Sequence, residues 1–554
     1  PTAKSAAGSI ERSLPVPYNA AELPIPQELT ATRPFANGAA AGANVTADVD
    51  YSPWWGADYV GDSHASAWNW YMDQSNNSTI EEAVGLVNAG DIIHVAPGIY
   101  HNDIHLLAKP VTLMGAFAGV DPAGATSRGS ETILTRDDSY ALWIQPQASG
   151  AVINGFKFGS SAAGSGRRIY INDADDVTIA YNIIQNSTGH GIAVSGPAAG
   201  SPSADRATIS HNTIDNSAWE GIVNFGASDA TIVANHVKNI DNFGILTSGQ
   251  ALISQNVVTQ CKDGIRNDYS GTGVSNRTEI TGNTVSYTKY AGINLTGAYS
   301  YVFNNTTHHC NYFGTDATGD WDYASIHLEA SAANSTVEGN TVYDGINGIQ
   351  TWANNTVISN NDIFDMGVTY DSIKYVSDRV YRNSAILIGS NWGTGDFDPS
   401  GVVIHHNKIH GNRHGLFYSE DLTRGVVAEL NYWGDTTGPY NAVQNTGGLG
   451  DPVSNGVDFD PWCNEDFSRC DFSLGCCGKY TGGYTGNVDC DADGDRNLSD
   501  ITRLIDRVYI THSTLCCEES GNTDGDTDGK INLSDVTVLI DHVYISHRQT
   551  AACQ

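Results

Sequence analysis

Residues 177–196 read VTIAYNIIQNSTGHGIAVSG, and the pattern returns as ATISHNTIDNSAWEGIVNFG at 207–226 and ATIVANHVKNIDNFGILTSG at 230–249. Each copy has a β-type run, an asparagine, a second run, a polar corner, and then glycine and isoleucine before a third run. The marker asparagines are Asn182, Asn212, Asn235, Asn256, Asn283 and Asn305, at steps of 21 to 30 residues. Three alternating segments in such a period predict a solenoid of stacked coils.

Elementary physics explains why such coils must stack. Alternating Ile, Val and Thr suit strands with one buried face, and a single coil has nothing to bury that face against. Stacking also places each marker asparagine over the next, so we expect their amides to bond as a ladder along the axis. The glycine at each corner permits a backbone that other residues resist.

This pattern resembles the right-handed parallel β-helix of the pectate-lyase-like superfamily and of NosD-type repeat proteins, over about residues 79–462. The resemblance implies a mainly β fold, a right-handed parallel β-helix. It implies little about function, since one fold hosts many activities.

Composition narrows the choice of partners. The chain has 554 residues with 28 Lys and Arg against 62 Asp and Glu, a net charge of -34. This balance argues against nucleic acid and anionic membranes as partners and favours divalent cations. No apolar run reaches membrane-spanning length, so we expect no membrane insertion. Because the chain starts at Pro1 without a signal-peptide pattern, we expect a processed protein that is secreted and extracellular.

Changes in composition predict five segments. They are a Pro- and Ala-rich N-terminal arm (1–48), an N-terminal cap with the first coils (49–110), the β-helix (111–462), a Cys-rich linker (463–488) and a small α-helical module (489–554). A capping-box signal at Thr79 and Glu82 predicts a short helix from Ile80 to Asn88 that covers the first coil.

Two distant motifs match each other: VDYSPW at 49–54 and VDFDPW at 457–462. Proline ends strand pairing and aromatic rings cover apolar ends, so both motifs are expected to act as terminal caps. The alternative is that the two ends meet between molecules, head to tail, and build a filament.

The C-terminal module contains two loops with calcium-binding spacing. Oxygen ligands alternate along each loop, with glycine at the sixth position for the sharp turn. The predicted ligands are Asp489, Asp491, Asp493, Asp495, Asn497 and Asp500 in the first loop, and Asp524, Asp526, Asp528, Lys530, Asn532 and Asp535 in the second. Asp495 and Lys530 would contribute main-chain carbonyls. We therefore expect two Ca²⁺ sites here, with further sites possible in the β-helix.

Each loop ends in Asp and leads directly into a similar helix, which resembles a duplicated type I dockerin. That resemblance implies binding to a cohesin-like or other scaffold protein, and the alternative is a calcium-dependent folding cap without a partner. The first loop departs from the pattern at Arg496, where the second keeps the apolar Ile531.

The cysteines fall into two groups. Cys261 and Cys310 occupy matching positions two coils apart, about 9.6 Å, which exceeds disulfide reach, so we predict that they do not pair with each other. The eight between Cys463 and Cys553 predict a disulfide framework formed in an oxidising compartment.

Catalytic candidates are scattered. Lyase chemistry needs a base beside a cation, for which the candidates are Arg266, with Asp268 and Tyr269, and Lys374 with Arg379. Hydrolase chemistry needs paired carboxylates, for which Asp320 and Asp322 are candidates, with Asp316 and Glu329 nearby. The adjacent histidines at 308–309 and 405–406 lie in strands and are expected to point to opposite sides.

Because no complete catalytic set is recognisable, the sequence favours a secreted structural or assembly protein. In this hypothesis a β-helix rod self-associates or attaches to an extracellular scaffold through its arm, end caps and calcium module. The alternative is a dockerin-bearing polysaccharide lyase or glycoside hydrolase, and a second alternative is a carbohydrate-binding adhesin. Whether the protein is an enzyme stays open at this stage.

Overall fold

A computed structural model describes most of the chain after the N-terminal arm. The described residues are 46–47, 69–72, 79–101, 104, 106–124, 128–136, 140–159, 166–195, 205–311, 324–368, 383–392, 395–397, 399–418, 425–470, 484–491, 495–526 and 529–552. They form two compact units, within residues 1–241 and 242–554. Within these ranges, every helix is too short or too polar to cross a membrane.

The first coil is preceded by the predicted helix, which spans Ile80–Leu86. Thr79 and Glu82 form the reciprocal capping box, and Ile80 and Ala83 are fully buried. Of the predicted arm, only Thr46–Ala47 is described. It pairs antiparallel with Asn69–Met72, a strand that in turn pairs parallel with the first regular coil.

Each regular coil contributes three short strands to parallel sheets. The first strands in residues 1–241 are Ile92–Val95, Thr112–Met114, Val152–Asn154, Thr178–Ala180, Thr208–Ser210 and Ala230–Val233. Those in residues 242–554 are Ala251–Ser254, Glu279–Thr281, Tyr301–Phe303, Thr336–Glu338, Val357–Ser359, Val403–His405, Val426–Val427 and Val457–Asp458.

The second strands are Gly98–His101, Thr132–Thr135, Lys157–Phe158, Ile183–Ser187, Thr213–Ser217, Thr284–Ser286, Thr306–His308, Thr341–Tyr343, Asp362–Phe364 and Lys408–His410. The third strands are Leu106–Leu107, Leu142–Ile144, Ile169–Asn172, Ile192–Ser195, Ile222–Phe225, Ile293–Leu295, Ile326–Leu328, Ile349–Thr351, Ser384–Ile388 and His414–Tyr418. Two long strands, His236–Thr247 and Val257–Asn267, combine the second and third positions. A hairpin of Ser390–Trp392 with Gly395–Phe397 lies outside this pattern.

The core consists of aliphatic side chains aligned in register from coil to coil. Ile179 pairs with Ile209 and Ile209 with Ile232, and all three are fully buried. Each such side chain contributes about 1.5–3 kcal/mol relative to exposure. The alternation of apolar and polar residues that the sequence predicts therefore determines which side chains form the core of the coils.

The predicted asparagine ladder is present in both units. In residues 1–241, the side-chain Nδ2 of Asn182 donates to Oδ1 of Asn212 at 3.1 Å, and Asn212 donates likewise to Asn235 at 3.0 Å. In residues 242–554, Asn256 donates to Asn283 at 2.9 Å and Asn283 to Asn305 at 2.9 Å. The ladder continues there through Asn340, Asn361, Asn407 and Asn431.

The residue before each ladder asparagine has a left-handed backbone. This holds at Tyr181, His211, Ala234, Gln255, Gly282, Asn304, Gly339, Asn360, His406 and Leu430. Left-handed residues also explain why the histidine prediction was wrong: His309 and His406 turn the chain, so the two Nδ1 atoms of each pair lie 2.8 and 2.9 Å apart.

At the C-terminal end of the coils, Phe459 and Trp462 are buried, and Trp462 Nε1 donates to the Thr436 carbonyl at 2.9 Å. The cap interpretation of this motif agrees with that burial. Its counterpart at 49–54 lies outside the described residues.

The small module has two similar helices, Leu498–Ile505 and Leu533–Ile540. Each helix continues into a π-helical turn, Asp506–Ile510 and Asp541–Ile545. The module also has a short 3₁₀ turn at Glu519–Gly521, and the coils have two others, at Pro146–Ala148 and Val274–Asn276. Leu504 and Leu539 lie at the centre of the module's apolar core.

Disulfides occur where the sequence predicts them, joining Cys463 to Cys470 and Cys490 to Cys516. Cys261 and Cys310 are buried and form no disulfide with each other, which confirms that prediction.

Candidate functional site

Four successive third strands in residues 242–554 carry polar side chains next to their buried isoleucines. Ile265, Ile293, Ile326 and Ile349 are in register and fully buried. The following residue in each strand points away from the core and forms a row, comprising Arg266, Asn294, His327 and Gln350. Two residues further along are Asp268, Thr296, Glu329 and Trp352. We call these two rows, together with Asp263, the polar cluster.

His327 is the central group of the polar cluster. Its Nδ1 lies 3.1 Å from Oε1 of Gln350, and its Nε2 lies 3.5 Å from a carboxylate oxygen of Glu329. Nδ1 is thus the nitrogen that faces the Gln350 amide, and Nε2 is the nitrogen that faces Glu329. The Trp352 ring packs edge-on against the imidazole at 4.7 Å. The orientation of the imidazole is therefore fixed.

Glu329 and Arg266 supply opposite charges beside this imidazole. Burial opposes ionisation of Glu329, but the adjacent His327 imidazole and the Arg266 guanidinium outweigh it, so the pKa of Glu329 lies below its ordinary value. Arg266 donates from Nε to Asp268 at 2.7 Å, and its guanidinium lies 5.1 Å from the centre of the Phe243 ring. The Glu329 side chain remains 28% exposed while that of His327 is fully buried. Glu329 is thus the ionised group that a ligand can reach.

Asp263 supports the cluster from the corner before Arg266. It accepts from the backbone N–H of Ala291 at 2.9 Å and from Nδ2 of Asn294 at 3.4 Å. Burial raises its pKa. Asn294 is fully buried, and among the described residues its Oδ1 has no hydrogen-bond donor. An acceptor is therefore available in the middle of the row.

Only part of this cluster was predicted from the sequence. Arg266, Asp268 and Glu329 were candidates, and they lie on the same face two coils apart, whereas Lys374, Arg379, Asp320 and Asp322 lie outside the described residues. His327, Gln350, Asn294 and Trp352 were missed. Their position in the repeat could have identified them. Counted from the last corner residue before the glycine position, each lies three or five residues further along in consecutive coils, and outward-facing side chains align there.

The calcium loops were predicted from spacing, and the structure shows how their acidic residues are held. Oδ1 of Asp500 accepts from the Val488 N–H at 2.8 Å, and Oδ2 accepts from the Asn497 N–H at 2.9 Å. Burial and the neighbouring Asp489 carboxylate raise the pKa of Asp500 to about 6. Crowded, partly buried carboxylates with oxygen-only donors fit a hard divalent cation such as Ca²⁺.

The second loop repeats this arrangement. The carboxylate of Asp535 accepts from the backbone N–H groups of Asp524 at 3.1 Å and Asn532 at 2.8 Å. The remaining described ligands are Asp491, Asp495, Asp526 and Lys530. Asp493 and Asp528 lie outside the described residues, and within the part of each loop that is described no three acidic or histidine groups converge.

The loops differ at the position that the sequence singled out. Arg496 turns away from the module core and donates to the carbonyls of Thr485 at 2.9 Å and Tyr484 at 3.0 Å. Ile531 packs against the core instead. The first loop is thus tied to the chain that enters the module.

Several solved structures are similar to this chain over more than half of its length. The A-module of a mannuronan C-5 epimerase from Azotobacter vinelandii is 15% identical, with 68% of this chain and 92% of that chain covered and a TM-score of 0.42. The Dettilon tailspike protein is 11% identical, covering 63% and 68%, with a TM-score of 0.40. A mannuronic acid-specific polysaccharide family 6 lyase from human gut microbiota is 13% identical, covering 66% and 80%, with a TM-score of 0.37. At these values the similarities carry no argument about function.

No curated protein matches the sequence. The family model for a right-handed β-helix region matches residues 141–307 and 270–431, which together span just over half of the chain. The aligned isoleucines, the asparagine ladder and the parallel strands agree with that match. This chain belongs to the right-handed β-helix family.

Proposed function

We propose that this protein is an extracellular polysaccharide lyase that acts at the polar cluster. The observation that supports the proposal is the convergence of His327, Glu329 and Arg266 on one face of the coils. The sequence favoured a structural role because it showed no complete catalytic set. The polar cluster supplies candidate catalytic groups, so this argument for a structural role no longer holds. An assembly role is therefore the second candidate.

The arrangement suits elimination better than hydrolysis. Glycoside hydrolysis uses two carboxyl groups about 5–9.5 Å apart on either side of the bond, whereas here an imidazole and one carboxylate lie 3.5 Å apart. In elimination, the exposed Glu329 carboxylate, held beside the buried His327, takes the proton on the carbon next to the uronate carboxylate, and the C–H electron pair forms the new double bond. The glycosidic C–O bond breaks, and the leaving oxygen takes the proton back from Glu329. Arg266 would bind the carboxylate of the sugar.

The test is a screen of purified protein for new unsaturated ends on uronate polymers and new reducing ends on neutral glycans. We expect unsaturated ends, with a loss of about 10²–10⁴-fold in His327→Gln. Arg266→Gln should also lose activity. Arg277→Gln is its matched control, because Arg277 has a similar ion pair, to Glu279 at 3.2 Å, and packs over Tyr301 at 4.0 Å on the first-strand face. Reducing ends without unsaturated ends would replace the lyase proposal by a hydrolase.

The second candidate concerns the C-terminal module, which we propose as a calcium-dependent, dockerin-like attachment domain. Its two helices end in matching exposed apolar pairs, with Tyr509 54% and Ile510 66% exposed, and Tyr544 57% and Ile545 70% exposed. Duplicated exposed apolar groups favour a protein partner, either a cohesin-like scaffold or another copy of this chain.

Light scattering and electron microscopy with and without a calcium chelator test this attachment. We expect calcium-dependent complexes or fibres, and we expect Asp500→Ala combined with Asp535→Ala to abolish them. Glu519→Gln, at an exposed acidic residue outside the loops, is the control. The assembly role would be refuted if the particles stayed monodisperse at the same size with and without calcium and bound no scaffold protein.

A further inference from the structure

The third-strand face within residues 1–241 carries a separate group of aromatic and charged side chains. The Arg167 guanidinium lies 4.4 Å from the centre of the Tyr170 ring and 5.6 Å from that of Phe225. The Phe225 and Trp219 rings each meet the His190 imidazole edge-on, at 5.5 and 5.0 Å. We call Arg167, Tyr170, His190, Trp219, Glu220 and Phe225 the aromatic site.

Arg167 differs from comparable arginines in lacking an acidic partner. Arg206 bonds Asp176 at 2.7 Å, and Arg277 bonds Glu279 at 3.2 Å while stacking on a tyrosine as Arg167 does. Among the described residues, no carboxylate lies within ion-pair distance of Arg167. Held between two rings, it presents planar N–H donors that match a carboxylate.

The rings around it are exposed rather than packed away. Trp219 is 48% and Phe225 39% exposed, although large apolar side chains on this sheet are otherwise mostly buried. Exposed aromatic groups with a few fixed polar groups are typical of ligand sites, and flat rings pack against the C–H faces of sugars.

Beneath the rings is a buried polar pair. His190 Nδ1 lies 2.6 Å from Glu220, and the two side chains are 4% and 8% exposed. Glu220 is thus directed towards His190, and it lies beyond ion-pair distance of Arg167. It also fixes the imidazole against which Trp219 and Phe225 rest.

We propose that the aromatic site binds a uronate residue of a polysaccharide, with Arg167 on its carboxylate and Trp219 and Phe225 against its ring. This inference rests on the proposed lyase function, because it supplies a second binding position for the same class of polymer. The net charge of -34 repels acidic polymers over long range, so binding needs a local cation of this kind.

The experiment uses the full chain carrying His327→Gln, so that uronate oligosaccharides are not cleaved. Binding is measured by titration calorimetry and by tryptophan fluorescence. Arg167→Gln should weaken binding about 10–100-fold, as expected for loss of a charge-assisted pair. Trp219→Ala should weaken binding to the oligosaccharide by a similar factor. Arg277→Gln is the matched control and should bind as before.

The outcomes separate this inference from the proposed function. If the parent protein forms unsaturated ends but Arg167→Gln binds and cleaves normally, the aromatic site is refuted and the lyase proposal stands. If uronate binding depends on Arg167 but no polymer is cleaved, the lyase proposal fails and the site stands. If neutral and uronate oligosaccharides bind with equal affinity, and salt does not change that affinity, then Arg167 does not bind a carboxylate and the proposal is refuted.

Discussion

Replacing one ladder asparagine tests the interaction that recurs along the coils from Asn182 onward. Oδ1 of Asn283 accepts from both the backbone N and Nδ2 of Asn256, each at 2.9 Å. Its Nδ2 donates to the Ile253 carbonyl and to Oδ1 of Asn305, both at 2.9 Å. Asn283→Ala therefore removes the acceptor of a buried backbone N–H, which costs about 1–3 kcal/mol, and further buried bonds worth about 1 kcal/mol each. We expect a total loss of about 4–6 kcal/mol.

Urea denaturation followed by circular dichroism measures this loss. At an m-value of about 3 kcal/mol per M, the midpoint should fall by about 1–2 M. Hydrogen exchange should accelerate most at the amides of Asn256 and Thr284, the second of which bonds the Asn256 carbonyl at 2.9 Å. The control is Asn354→Ala: Asn354 is exposed and accepts from the Ser400 N–H at 2.7 Å, so about 1 kcal/mol or less is expected. Equal effects of the two variants would refute the stabilising role of the ladder.

Three further predictions concern the coils. Gly264→Ala should destabilise the protein by about 1–3 kcal/mol in the same urea assay, because its new Cβ would collide with Val285, and an unchanged midpoint would contradict the corner packing. Burial raises the pKa of the Cys310 thiol to about 11, so a thiol reagent at neutral pH should label this cysteine only after unfolding, as mass spectrometry can show. Burial lowers the pKa values of His308 and His405, so the unfolded chain binds more protons below about pH 6.5 and stability should fall from about pH 7.5 to 6. The His405→Gln variant should lose less stability than the parent protein over that pH interval. An identical loss in both proteins would show that His405 does not contribute to the pH dependence.

The sequence predicted the features that repeat. The ladder from Asn182 onward, the glycine corners and the helix at Ile80 each depend on local spacing or on a side chain that recurs once per coil, and the structure contains them. The two acidic loops also follow a fixed spacing, and calcium binding by them stays a prediction.

The polar cluster could not be predicted in this way. Arg266 and His327 come from strands far apart in the sequence, and they share a row only because the coil between them holds Asn294 in register with both. An outward polar residue is ordinary in a strand with one buried face, so His327 and Gln350 carry no local signal. The contact between His190 and Glu220 could not be predicted either, because the two residues lie at corners of successive coils and meet only when those coils stack.

The left-handed residue before each ladder asparagine has a consequence for how this protein can change over time. Each coil closes with the same backbone turn and offers the next coil the same amide, so any regular coil can follow any other. In-frame duplication or deletion of one complete repeat should therefore give a folded chain, longer or shorter by a single step. Exposed surfaces such as the polar cluster would then diversify by substitution, while the length of the chain changes independently by copying.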